Sequence, residues 1–116
     1  MNRNAERLHM KTFSQRVLEM ALSIPAGRVT TYGRIAHAAG GGGQASRSVT
    51  GILGKAYDAG ERGIPFHRIV YADGTAWISD DPKRRTQRIA LYKKEGIVIG
   101  KNDRVENFGE VVLDFK

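Results

Sequence analysis

Residues 32–56 read YGRIAHAAGGGGQASRSVTGILGKA, two short runs of helical character on either side of four glycines. Apolar residues of the second run recur at the spacing of one helix face, at Val49, Ile52, Leu53 and Ala56. We therefore predict one helix over 32–39 and another over 46–56, the second capped by Ser46. Two short helices joined by a glycine turn are typical of a helix-turn-helix.

The opposite face of the second predicted helix carries mainly small and basic residues: Arg47, Ser48, Thr50, Gly51, Gly54 and Lys55. A glycine inside a helix costs about 0.5 to 1 kcal/mol relative to alanine, so two glycines on one face require a reason. Close approach of the helix backbone to a partner would supply that reason. This face is therefore a candidate binding surface.

A helix is also predicted on each side of this pair. Thr12 and Gln15 form a capping box at the start of the first, which covers 12–23. The second begins near Pro82 and runs to about Glu95. Its basic run is interpreted either as a solvated face or as a phosphate contact, and consists of Lys83, Arg84, Arg85 and Arg88.

β structure is predicted in two places. The apolar run 64–71, the Asp73-Gly74 turn and residues 75–78 predict a β-hairpin, and the alternation over 111–115 predicts a short terminal strand. We expect one domain over residues 1–116, mainly α with a small β-hairpin (an α/β fold), of the winged-helix-like helix-turn-helix type.

Length and composition bound the class of protein. The 116 residues and the 41% hydrophobic content predict a single domain with its own core. There is no cysteine, which excludes disulfides, a thiol nucleophile and thiolate metal ligands. The sequence has no secretory apolar stretch and no window of about 18 apolar residues for a membrane span. We expect a cytoplasmic protein that does not contact membranes.

Positive charge is concentrated in the first half of the chain. The net charge is +7, and residues 1–55 alone carry eight basic and two acidic side chains. Nucleic acid is the first candidate partner, since neutralised phosphates release counterions and give salt-sensitive affinity. The alternative is a basic surface that is only solvated.

Metal and cofactor chemistry have little support in the sequence. The histidines, His9, His37 and His67, stand at no spacing suited to a metal site and have no run of carboxylates beside them. The four glycines at 40–43 lack the lysine of a phosphate-binding loop. No metal and no cofactor is therefore expected.

Three motifs carry a family resemblance: IPAGRVTTYG at 24–33, SRSVTG at 46–51 and PFHR at 65–68. In this order and near this spacing they resemble the DNA-binding domain of the O6-alkylguanine-DNA alkyltransferase family, over about residues 12–96. That family has Pro-Cys-His-Arg in the third motif, and its cysteine accepts the alkyl group. This sequence has Phe66 at that position.

The departure at Phe66 changes the function that the resemblance implies. Alkyl transfer of this kind requires a thiolate, and the chain has none. His67 and Glu95 match two members of the family's catalytic relay, but the asparagine that orders the preceding segment has no counterpart in 55–63. The pattern is similar to that of alkyltransferase-like proteins, which have another residue in place of the cysteine and bind alkylated guanine without repairing it.

The resemblance implies a role for each matching residue. Arg47 would insert into the base stack in place of a flipped nucleotide, and Tyr32 would crowd the 3′ phosphate and help to rotate that nucleotide out. The implied DNA contacts are Thr31, Tyr32, Arg47, Ser48, Thr50 and Gly51. The implied lesion pocket consists of Tyr32, Phe66, His67, Arg68 and Trp77.

We therefore predict a non-enzymatic monomer that binds double-stranded DNA containing O6-alkylguanine, flips the lesion and marks it for repair by nucleotide excision repair proteins. One alternative is a sequence-specific helix-turn-helix regulator, although this helix lacks the asparagine, glutamine or second arginine usually directed at base edges. Another is an enzyme with His67 or Ser46 as nucleophile, for which no base and oxyanion constellation is readable.

Overall fold

The computed structural model describes residues 11–42 and 44–115. These residues form five α-helices and two short strands, which in chain order are α1 (Phe13–Leu22), β1 (Thr30–Thr31), α2 (Tyr32–Ala38), α3 (Ser46–Asp58), β2 (Ile69–Val70), α4 (Pro82–Lys94) and α5 (Phe108–Val111). Two 3-10 turns cover Phe66–Arg68 and Lys101–Asp103. The basic residues Arg3 and Arg7, the histidine His9 and the fourth glycine, Gly43, lie outside the described residues.

The predicted helices are present, and local hydrogen bonds explain where most of them begin. The capping box of α1 is formed: the Thr12 hydroxyl accepts from the Gln15 amide at 3.1 Å, and the Gln15 side chain accepts from the Thr12 amide at 2.8 Å. Thr31 caps α2 and Asp81 caps α4 in the same way.

The predicted cap of α3 is wrong. Ala45, not Ser46, stands at the N-cap of α3, and no side chain caps that end of the helix. Ala45 already has helical backbone angles, so Ser46 lies inside the first turn. The helix also continues to Asp58, two residues beyond the predicted end.

The β structure is shorter than predicted and has a different pairing. β1 and β2 pair in parallel, with Thr30 opposite Ile69 and Thr31 opposite Val70. The predicted β-hairpin is therefore wrong in its partner, although its turn forms and the Gly74 amide donates to the Tyr71 carbonyl at 2.9 Å. Ile69 and Val70 are both buried, which suits a parallel strand covered on two faces better than one arm of an exposed hairpin.

The predicted terminal strand is reduced to one bridge. Residues 108–111 are helical, and Val112 then makes an isolated parallel bridge to Val29. The Arg28 guanidinium donates to the carbonyls of Val111 and Val112 at 2.9 and 2.7 Å, and the Thr30 hydroxyl donates to the Leu113 carbonyl at 3.0 Å. The C-terminal segment is thereby fixed beside β1.

Two clusters of buried side chains form the core. The first packs α1, α2 and α3 together through residues such as Val17, Ile35 and Leu53. The second surrounds Tyr92 of α4. Side chains alternate along a strand, so Ile69 joins the first cluster and Val70 the second. β2 therefore connects the helix-turn-helix to the rest of the molecule.

None of the described helices has both the length and the apolar character that a membrane span requires.

Candidate nucleic-acid interface

A cleft of about 370 Å³ lies between the helix-turn-helix and α4. Its lining is mostly aromatic and consists of Tyr32, Thr50, Phe66, Ile69, Tyr71, Trp77, Arg88 and Tyr92. We call this the aromatic cleft. It contains three of the five residues predicted for the lesion pocket, namely Tyr32, Phe66 and Trp77.

Separate elements position the aromatic rings of this cleft. Tyr32 is the first residue of α2, and Tyr71 lies near it, with ring centroids 6.2 Å apart. Tyr92 is buried in α4, and its hydroxyl donates to the His67 carbonyl, which fixes the motif segment against the helix. Burial raises the pKa of Tyr92 to about 12, so the hydroxyl stays protonated and remains a donor.

An aromatic contact and a cation–π contact support Phe66. The ring of Tyr57, at the end of α3, meets the Phe66 ring edge-on with centroids 5.9 Å apart. The Arg62 guanidinium lies 4.0 Å from the centroid of the Tyr57 ring, in a cation–π contact. Tyr57 and Arg62 belong to the segment in which the family's ordering asparagine has no counterpart. Their contacts therefore order the chain before the motif in place of that asparagine.

His67 and Arg68, which were predicted for the lesion pocket, are not among the side chains that line the cleft. His67 Nε2 lies 2.8 Å from Glu95 Oε2, and Arg68 makes two bonds to the same carboxylate at 2.9 and 2.8 Å. Arg68 also donates to the Ile24 carbonyl at 2.8 Å. These bonds hold both side chains at the end of α4, and the His67 ring meets the Tyr92 ring edge-on with centroids 5.8 Å apart.

Charge and burial shift the pKa values in this group. The Arg68 guanidinium, helped by His67, lowers the pKa of Glu95 to about 2 although burial opposes it. Burial lowers the pKa of His67, and Glu95 offsets part of that effect. The group is therefore an ionised carboxylate held by an arginine beside a neutral imidazole.

A second groove, of about 380 Å³, adjoins the aromatic cleft and holds Arg47. The two hollows share Tyr32, Thr50 and Tyr71. The Arg47 side chain is exposed and forms no ion pair with any described residue. An exposed cation, without an ion-pair partner in the described part of the chain, thus lies in the groove beside the aromatic cleft.

The outer face of α3 leaves its backbone accessible. Arg47, Ser48, Thr50 and Gly51 are all exposed. A Cβ atom at Gly51 would meet no other atom within 4 Å, so packing inside the molecule does not explain this glycine. Thr31, predicted as a DNA contact, is buried, and its hydroxyl caps α2 instead.

The sequence did not predict four residues of the cleft: Ile69, Tyr71, Arg88 and Tyr92. Arg88 and Tyr92 are four residues apart on α4 and therefore share one face of it. This spacing could have indicated that Arg88 turns inward with a buried tyrosine. Nothing local in the sequence indicates that Tyr71 would approach Tyr32.

The helix-turn-helix, with an exposed arginine beside an aromatic cleft, defines a DNA-binding domain. Residues 12–97 match the family described as 6-O-methylguanine DNA methyltransferase, DNA binding domain. The chain belongs to this family, and with phenylalanine in place of the cysteine it is an alkyltransferase-like member.

Proteins of known name support this assignment. The DNA base-flipping protein of Escherichia coli K12 is 35% identical over 95 residues, which are 82% of this chain and 70% of that protein. Schizosaccharomyces pombe Atl1 in complex with damaged DNA containing O6-carboxymethylguanine has the same fold, with a TM-score of 0.66 and 24% identity over 91% of this chain and all of that one. Mycobacterium tuberculosis O6-methylguanine methyltransferase gives a TM-score of 0.50 and 30% identity over 75% of this chain and half of that one.

Proposed function

We propose that this protein binds duplex DNA, rotates a guanine alkylated at O6 out of the helix into the aromatic cleft, and holds it there without removing the alkyl group. The observation that carries the proposal is Phe66, an apolar ring in the wall of the cleft where the family has its nucleophile. The names of the relatives, a base-flipping protein and a protein bound to damaged DNA, support the same function.

The two adjoining hollows fit the two halves of a flipping reaction. A flipped base leaves a gap in the stack, and the exposed Arg47 side chain is placed to enter it. The base itself would contact the rings of Tyr32, Phe66 and Tyr71. Flipping costs a few kcal/mol, and less for a damaged, poorly paired base, so lesions are favoured before any contact in the cleft is made.

The hydrogen-bonded group of His67, Arg68 and Glu95 supports binding rather than transfer. His67 is hydrogen-bonded to Glu95 as a catalytic relay would be, but the residue that it could activate is Phe66, which has no proton to lose. Ser46 lines the groove that holds Arg47, and it makes no hydrogen bond to a histidine or carboxylate among the described residues. Within the same residues no three His, Asp or Glu side chains form a cluster that could hold a metal ion.

The consequence for repair is part of the proposal. A protein that binds an alkylated base without repairing it is useful when it passes the lesion on, and we assign the next step to nucleotide excision repair proteins. A monomer acting in the cytoplasm is proposed with it.

The test is a titration of one duplex carrying guanine, O6-methylguanine or a bulkier O6-alkylguanine at a single position. We expect tighter binding to both lesions and no recovery of unmodified guanine from the DNA. Equal affinity for all three duplexes would contradict lesion recognition and favour a sequence-specific regulator. Recovery of guanine would show that the protein is an enzyme.

Phe66→Ala tests the role of the ring directly. It should reduce the preference for alkylated over normal guanine and leave the salt-dependent binding of undamaged duplex almost unchanged. Phe66→Leu is the matched control, since it keeps the apolar volume and removes only the flat ring. An unaltered preference in Phe66→Ala, with a folded protein by circular dichroism, would show that Phe66 is core packing and that the lesion is held elsewhere.

A further inference from the structure

The aromatic cleft does not end at Trp77. Another groove, of about 340 Å³ and distinct from the one that holds Arg47, continues along α4. It is lined by Trp77, Ser79, Arg84, Gln87, Arg88 and Leu91. It shares Trp77 and Arg88 with the aromatic cleft. We call it the α4 groove, and a ligand seated in the cleft would pass Trp77 to enter it.

The walls of the α4 groove differ in chemistry from those of the cleft. Part of its lining is apolar and uncovered, since Trp77 is 61% and Leu91 37% exposed. On α4 the lining also carries two arginines one turn apart, Arg84 and Arg88, with the Gln87 amide between them. No acidic residue is among those that line either hollow.

No carboxylate in the described part of the chain pairs with either of these two arginines. Arg85, between them, is paired with Asp103, and its Nη1 donates to Asp103 Oδ2 at 3.0 Å. Neither Arg84 nor Arg88 forms such an ion pair among the described residues. The charge of Arg88 opposes the rise that burial causes in the pKa of Tyr32 and of Tyr92, which places it close to the cleft.

We propose that the α4 groove is a subsite for the far end of a long O6 substituent, and that it favours a substituent ending in a carboxylate. The chain of the substituent would lie along Trp77 and Leu91, and its carboxylate would accept hydrogen bonds from Arg84 and Gln87. This inference rests on the proposed function, because the substituent reaches the groove only if the guanine occupies the aromatic cleft.

The experiment uses the unmodified guanine duplex as a reference and four lesion duplexes that separate length from charge. They carry O6-methylguanine, O6-carboxypropylguanine, O6-carbamoylpropylguanine or O6-aminobutylguanine at the same position. The amide is the uncharged match of the carboxylate, and the amine reverses its charge. Because the charge contact is partly exposed, we expect the carboxylate to bind about threefold to tenfold more tightly than the amide. The amine should bind most weakly of the three long substituents.

Variants on α4 assign that difference to the groove. Arg84→Gln should remove the preference for carboxylate over amide and leave the preference for O6-methylguanine over guanine unchanged. Lys83→Gln is the matched control, because Lys83 is exposed on the same helix and does not line the groove. Arg84→Glu should reverse the order and favour the amine.

Two outcomes would overturn the subsite. Equal binding of carboxylate and amide by the unaltered protein is the first. The second is that Arg84→Gln weakens all the duplexes by the same factor, which is the behaviour of a phosphate contact. Failure of the proposed function is a separate result, since it removes the preference for O6-methylguanine over guanine itself.

Discussion

Arg47 has two possible roles in DNA binding that differ in their dependence on lesion and salt. As a phosphate contact it would act equally on damaged and undamaged duplex. As the side chain that enters the vacated stack it would act mainly when a base is flipped. Its exposed position beside the aromatic cleft favours the second role.

Arg47→Ala should therefore weaken binding of lesion duplex more than binding of undamaged duplex. Titrations of both duplexes at several salt concentrations measure the difference. Lys55→Ala, which removes one exposed charge from the same helix, is the control and should reduce both affinities together. A salt slope that flattens by about one unit, with equal losses for both duplexes, would show that Arg47 only contacts phosphate.

Phe66→Cys restores the family's motif beside a histidine and glutamate that are already hydrogen-bonded at 2.8 Å. We expect weak alkyl transfer or none, because the segment before the motif is ordered by Tyr57 and Arg62 instead of the family's asparagine. A thiol misplaced by about 1 Å can lose on the order of 100-fold in rate. Mass spectrometry of the protein after incubation with O6-methylguanine duplex would detect the methyl group, and stoichiometric transfer within minutes would contradict this prediction.

At the scale of elements, the glycine at position 51 lowers the helical stability of α3 relative to alanine and leaves the outer face of the helix without a side chain there. A Cβ added at Gly51 would meet no atom within 4 Å beyond its own helix backbone and chain neighbours, so packing inside the molecule does not require a glycine there. The minor groove, into which a smooth helix face can settle, supplies a reason for the glycine if the proposed function holds.

Gly51→Ala should stabilise the protein by about 0.5 to 1 kcal/mol and at the same time weaken DNA binding severalfold. Urea denaturation and duplex titration measure the two effects. Gly109→Ala in α5 is the control, since that position is also open and should not change DNA affinity. Higher stability with unchanged affinity would show that DNA does not approach the backbone at this position.

The elements also show how far the sequence predicts this structure. Helical periodicity and caps are local signals, so α1, α2 and α4 begin where Thr12, Thr31 or Asp81 can bond the first amides. The pairing of β1 with β2 joins residues far apart in the chain, and the sequence around Ile69 shows only an apolar run. The same holds for the site: the motifs indicate Tyr32, Arg47 and Phe66, whereas the placement of Tyr71 and the turning of Arg68 toward Glu95 are tertiary.

At the scale of the whole molecule, Glu95 ties three distant segments together. Its carboxylate accepts hydrogen bonds from Arg68 and from His67 in the motif, and from the Gly27 amide at 3.4 Å in the loop after α1. The Glu95 side chain is only 8% exposed. Loss of its charge would therefore loosen the motif, the end of α4 and the entry to β1 together.

The molecule should lose stability as the pH falls below about 6.5. The folded pKa of Glu95 is about 2, below its ordinary 4.5, so its ionised form contributes stability above pH 4.5 that is lost between 4.5 and 2. The contribution is on the order of 3 kcal/mol. Burial lowers the pKa of His67 from 6.5, so protonation of its ring also favours the unfolded chain, beginning at higher pH.

Urea denaturation midpoints measured from about pH 7 to pH 3 test whether the Glu95 carboxylate and the His67 imidazole cause this loss of stability. Glu95→Gln should have a lower midpoint at neutral pH and a shallower fall below pH 4.5. Parallel curves for the two proteins would show that other groups cause the loss.

The division of the aromatic cleft between the two halves of the chain has a consequence during synthesis. Tyr32, Thr50 and most of the basic residues of the helix-turn-helix precede Trp77, Arg88 and Tyr92 in the chain and are therefore synthesised first. β1 cannot pair until Ile69 and Val70 have emerged, and the second cluster of the core needs α4. A nascent chain thus carries much of its positive charge before it has the residues that complete the cleft, and selectivity for a damaged base arises only after α4 has been added.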